Sequence, residues 1–267
     1  RYFGELSQTP INAPDNTQHF SYLDHLRHLL SSDPTLDELE LPGGLNTWLY
    51  RNTSKILEWT GSTRDQWQEK KDVSFVRRQT LRTLTYLDGV SFVSRDLPPN
   101  TGLNVNERLA RIGLLDVDGP TQDPPGYLSH VSKHLYGLLE ANTATQALRT
   151  KVAAIVTALD NVKSWLVQVH HDAFQIMKMS DAQLGQPATL SLLNDMIDNA
   201  TKAFSGQPDP VTGQMREGVT WIHDQIQSLA TFDVQHITGT GGHDGIDPLQ
   251  LVPDINVRRA TIRGGNA

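Results

Sequence analysis

The chain has no cysteine in its 267 residues. That single absence excludes disulfides, thiolate nucleophiles, cysteine-based zinc fingers and iron–sulfur clusters together. It leaves the compartment open, because a thiol-free chain suits an oxidising exterior and a reducing cytosol equally. An extracellular or cell-surface setting is the expectation, and Arg1 in place of an initiating Met is expected of a processed or trimmed chain. Positive charge is also short, with 23 Lys and Arg against 30 Asp and Glu, a formal net charge of −7. A nucleic-acid binder displaces counterions with a basic footprint, so no nucleic-acid partner is expected. No run of apolar residues approaches the 18 or so that mark a membrane span, and none is expected. Phosphate-cradling glycine loops of the Gly-x-x-x-x-Gly-Lys-Ser/Thr and Gly-x-Gly-x-x-Gly types are missing. So are the Gly-x-Ser-x-Gly elbow and the His-Glu-x-x-His helix. These absences favour a non-enzymatic protein.

What is present is helical periodicity. Phe20, Leu23, Leu26, Leu29 and Leu30 predict a first helix over 19–30, stopped by Asp33-Pro34. Trp48, Leu49, Ile56 and Leu57 predict a second over 45–60, with Gly61 as its left-handed cap. Ser62 then reads as the N-cap of a third helix reaching Leu87, with Val73, Val76, Leu81, Leu84 and Leu87 along one stripe. The stretch from Asp88 to Gly126 is broken by Pro98-Pro99, Pro120 and Pro124-Pro125, and only 105–115 suits a short helix.

The second half carries the clearest signal. Leu148, Val152, Ile155, Leu159, Val162, Leu166, Val169, Ala173 and Ile176 alternate spacings of four and three, the seam of a heptad pattern. One helix over 145–179 would be about 50 Å long at about 1.5 Å per residue. Leu128, Val131, Leu135 and Leu138 precede it; Leu190, Leu193, Ile197, Ala200 and Phe204, then Met215, Val219, Ile222, Ile226 and Leu229, follow with the same spacing. Short connections between such helices favour antiparallel neighbours. The expected fold is all-α: N-terminal helices (1–88, opened by an extended arm), a proline-rich connector (89–126), an antiparallel bundle on one long spine (127–234), and an extended tail (235–267).

Chemistry in such a chain rests on its ten histidines. His130 and His134 stand four apart on one helix, a spacing that lets two imidazoles reach one ion. His170, on the spine, and His223, on the last helix, are the expected further ligands of a divalent transition metal. Against that reading, all four flank the apolar seams instead of occupying them, and no acidic residue stands on a seam. Asp24, His25 and His28 form a second group, in which Asp24 and His28 are spaced to pair on the surface. Asp116-Val117-Asp118-Gly119 and Gly242-His243-Asp244-Gly245 resemble fragments of calcium loops; the first has Tyr127 where a bidentate Glu is required. Lys70, Lys71, Arg77, Arg78 and Arg82 read as a solvated basic face. Trp165 and Trp221 read as neighbouring core anchors.

The leading functional expectation is therefore a structural or protein-interaction subunit. It would need no cofactor and would self-assemble into a homo-oligomer or larger assembly through its extended termini, with Arg258, Arg259 and Arg263 facing acidic partners. The alternative is a metal-binding helical bundle, enzyme or storage protein, using His130 and His134 with His170 or His223.

Overall fold

A computed structural model describes residues 10–11, 20–31, 43–95, 97, 107, 109–141 and 144–230. The arm over 1–17 and the tail over 235–267, on which the self-assembly expectation rests, lie outside the described residues apart from 10–11; so does the Gly242–Gly245 motif. All the described residues belong to one compact unit.

The fold is all-α. Helices α1 (Tyr22–Leu30), α2 (Leu45–Lys70) and α3 (Val73–Asp88) precede the connector. They are followed by α4 (Tyr127–Leu139), α5 (Gln146–Lys178), the single turn α6 (Asp181–Leu184), α7 (Thr189–Ser205) and α8 (Val219–Gln227). Extended structure among the described residues is limited to two small antiparallel pairs. Pro10–Ile11 lies against Phe20–Ser21 with Pro10 opposite Ser21, and Gln207–Pro208 lies against Met215–Arg216 with Gln207 opposite Arg216.

The division between α2 and α3 falls ten residues later than the glycine at 61 suggests. The helix runs straight through Gly61, whose missing Cβ leaves Cδ1 of Ile197 at van der Waals range, 3.4 Å from where that atom would stand. A glycine inside a helix costs about 1 kcal/mol against alanine, and here an added Cβ would meet Ile197 only at ordinary contact distance. Ser62 and Thr63 donate their hydroxyls back to the Trp59 carbonyl, so neither caps a new helix. The break comes at Lys71, in the left-handed region at φ 49°, and at Asp72, whose carboxylate accepts from the Phe75 N–H. In the connector, the described residues from 109 to 115 run as turns, not as the expected short helix.

The spine forms with Thr145 as its N-cap, the hydroxyl accepting from the Leu148 N–H. Val152, Ile155, Leu159, Val162, Leu166, Val169, Ala173 and Ile176 are all buried, and Leu148 is half-buried. By length and a mean hydropathy of 1.2 over 18 residues, α5 also meets the requirement for crossing a membrane, with 44% of that window buried inside the protein. In this structure it packs on α3, α4, α7 and α8. Helix α7 presents Thr189, Leu193, Met196, Ala200 and Ala203 to the interior, one position off the expected stripe at Ile197 and Phe204. The reason is double contact: α7 packs on both α5 and α2, which rotates its buried face between them. Met215 is not helical; it stands half exposed in the hairpin before α8. Helices from both sides of the connector share one hydrophobic core.

Candidate functional site

Two histidine pairs, about a hundred residues apart in sequence, face one another across α1 and α4. On α1, Tyr22, Leu26 and Leu29 form the apolar contact face, and His25 and His28 lie within it, one turn apart. On α4, Val131, Leu135 and Leu138 carry the apolar face, with His130 and His134 stacked beside them. The start of α4 is held by Asp116. Its carboxylate accepts the Gly126 N–H at 2.7 Å and a hydroxyl hydrogen bond from Ser129, and its charge suits the positive end of the helix. The acids at 116–118 thus anchor a turn, and Asp118 pairs with Arg95 at 2.5 Å.

All four imidazoles are buried, with exposures of 1% for His25, 2% for His28, 7% for His130 and 2% for His134. A single amphipathic helix would leave His130 and His134 at the rim of its apolar face; α1 covers that rim. His134 is the hub. Its Nδ1 lies 2.9 Å from Nδ1 of His25, a hydrogen bond in which one ring donates and the other accepts. Its ring stacks on His28 with centroids 4.6 Å apart and 19° between planes. His130 is 4.9 Å away, and His130 and His28 are 6.2 Å apart. The Nδ1–H of His28 donates to the Asp24 carbonyl at 3.3 Å, one turn back on the same helix. The Asp24 carboxylate turns instead to Arg27.

Room for this cluster comes from Gly137. A Cβ there would stand 2.5 Å from both Cε1 and Nε2 of His25. The helix accepts a glycine in its interior, and the imidazole of His25 occupies the notch. Burial, foremost, and then the neighbouring His130, His28, His25 and Lys133 hold the imidazole of His134 well below its ordinary pKa. At neutral pH it is uncharged and keeps a nitrogen lone pair.

The four imidazoles make an all-nitrogen donor set. Such a set suits zinc, copper, nickel or iron, whereas calcium and magnesium require oxygen ligands. In the present arrangement the rings stack and hydrogen-bond to each other. Among the described residues no group of three or more His, Asp or Glu side chains is arranged to hold a metal ion as it stands. The shift required is small for the closest pair: tetrahedral coordination at about 2.0–2.1 Å sets ligand nitrogens about 3.3–3.4 Å apart, against 2.9 Å between the two Nδ1 atoms.

His170 and His223, expected beside His130 and His134, keep other company. Nε2 of His170 lies 3.1 Å from Oδ1 of the buried Asp88. The ring of His223 lies against Tyr50, centroids 4.8 Å apart. The rings that meet His130 and His134 are those of His25 and His28, the latter expected from its spacing to pair with Asp24 on the surface. The basic residues of α3 are spent locally: Arg77 donates to Asp181 and to the Met179 carbonyl, Arg78 to Ser74, and Arg82 to Gln79. Trp165 is buried and covered by the Arg216 guanidinium, 4.8 Å from its ring centroid. Compared with known proteins, the chain matches no family model, no curated protein and no solved structure.

Proposed function

We propose that this all-α protein binds one late transition-metal ion through His25, His28, His130 and His134. The observation that carries the reading is the burial of four imidazoles between two helices, with a helix-interior glycine making room for one of them. Leucine at such positions would stabilise the contact more, since each fully buried aliphatic side chain contributes about 1.5–3 kcal/mol. The glycine itself costs about 1 kcal/mol in the helix. A contact face that gives up stability at several positions, and gains four nitrogen donors, is suited to a ligand. Four protein ligands fill a tetrahedral ion and leave no open position for substrate. The site therefore fits holding, carrying or sensing an ion better than metal-assisted hydrolysis. The Nδ1–H of His28, held by the Asp24 carbonyl, directs its Nε2 to the ion, as outer-shell carbonyls do for ligating histidines.

The test is titration of the chelator-stripped protein with zinc(II) and with cobalt(II). It is followed by calorimetry, by the visible spectrum of tetrahedral cobalt, and by metal analysis after gel filtration. One ion per chain is expected. Each of His25→Gln, His28→Gln, His130→Gln and His134→Gln should weaken binding at least tenfold while circular dichroism keeps the helical signal. Unchanged affinity in the four variants overturns the assignment. Native mass spectrometry of the same samples also weighs the assembly, which reads the alternative of a self-assembling subunit directly.

A further inference from the structure

We infer that the metal ion controls docking of helix α1: loading the four-histidine site locks Tyr22–Leu30 onto α4, and removing the ion loosens that helix while the rest of the bundle stands. The inference rests on the metal reading above and adds what occupancy does.

Three observations carry it. First, the donors are divided two and two between α1 and α4, so an ion held by all four is a crosslink between helices that no covalent bond joins nearby. Second, α1 has nine residues, too few to hold helical structure on its own. Its docking depends on one face, and two of the five buried residues on that face are the histidines. Third, the rings at the contact are stacked and hydrogen-bonded to one another, with His134 touching the other three. Gathering their nitrogens around one ion turns these rings and changes the α1–α4 contact itself, so the ion-free and loaded states differ at this helix pair. The far end of α1 has its own anchor: Gly44 lies so close to Leu29 and Leu30 that a Cβ would stand 2.3 Å from the Leu29 carbonyl oxygen. The ion therefore acts on the middle of a helix whose C-terminal end is already held.

The experiment is amide hydrogen exchange by mass spectrometry on the full chain, chelator-stripped and then with zinc(II) in excess. At zinc a hundredfold above its Kd, the opening equilibrium of a segment that must release the ion falls by about a hundredfold. Exchange in Tyr22–Leu30 should slow by up to that factor, and exchange in Gln146–Lys178 should change little. Zinc bound at one per chain with Tyr22–Leu30 unchanged, or with every helix slowed equally, overturns this inference and leaves the metal reading intact. No binding overturns both. In the His130→Gln/His134→Gln double variant the protection must disappear; protection that persists places the ion elsewhere and overturns the inference.

Discussion

Replacing Gly137 with alanine tests the geometry of the cluster without metal. In an ordinary helix interior the change stabilises, since alanine is favoured over glycine by about 1 kcal/mol. Here the new Cβ falls 2.5 Å from two atoms of the His25 ring. That ring cannot swing to solvent, because it is buried and hydrogen-bonded to His134. Overpacking a filled interior costs about 1–3 kcal/mol, and a strained hydrogen bond adds about 0.5–1.5 kcal/mol. Set against the gain of about 1 kcal/mol in helix propensity, the net expectation is a loss of about 0.5–3.5 kcal/mol. Urea denaturation followed at 222 nm measures it, with chelator present throughout. Gly185→Ala is the internal control. Gly185 has φ −72°, and its added Cβ meets only ordinary contacts at 3.6 Å, so that variant should gain about 0.4–1 kcal/mol. A double-mutant cycle isolates the cause: in a His25→Ala background the notch is empty, and Gly137→Ala should turn stabilising, a coupling of about 1.5–4.5 kcal/mol. Gly137→Ala as stabilising as Gly185→Ala, in the His25-containing protein, refutes the reasoning.

Two further outcomes follow from charge. His134 is held below its ordinary pKa in the folded chain, so the folded state resists the proton that the unfolded chain accepts below about pH 6.5. Stability of the metal-free protein should be flat above that pH and fall below it, by up to about 1.4 kcal/mol per pH unit for this one group; urea midpoints at pH 7.5 and pH 5 that coincide contradict it. Burial raises the pKa of Asp172 despite hydrogen bonds from His171 and Gln168, and its Oδ2 has no hydrogen-bond partner among the described residues. A group with a raised folded pKa stabilises below its unfolded pKa and loses that contribution as pH rises through the folded one. Asp172→Asn should therefore raise the urea midpoint at pH 7, and a lowered midpoint counts against the assignment.

The long helix and its buried stripe are legible in the sequence because heptad spacing is a local, one-dimensional signal. Where a helix touches two neighbours the signal blurs, as in α7, where Met196 and Ala203 outrank Ile197 and Phe204. Glycine misleads for a related reason. Gly61 reads as a cap yet sits inside α2, and Gly137 sits inside α4 against the His25 ring, a neighbour that no local pattern reveals. The real break uses Lys71 in a left-handed conformation, a residue type that gives no warning. The histidines follow the same logic. Each pair stands out by its spacing, and His130 and His134 read as boundary residues while α4 is considered alone. Their burial, and their meeting with His25 and His28, is a tertiary event.

The separation of the two pairs also sets an order in time. His25 and His134 meet across 109 positions of chain. A ribosome makes the first pair long before the second, and His25 and His28 alone offer an ion at most two nitrogens. On the metal reading, an ion can be held by all four nitrogens only once α4 has emerged and found α1. On that reading the site exists only where α1 has packed on α4, so a bound ion would report that this helix pair is docked.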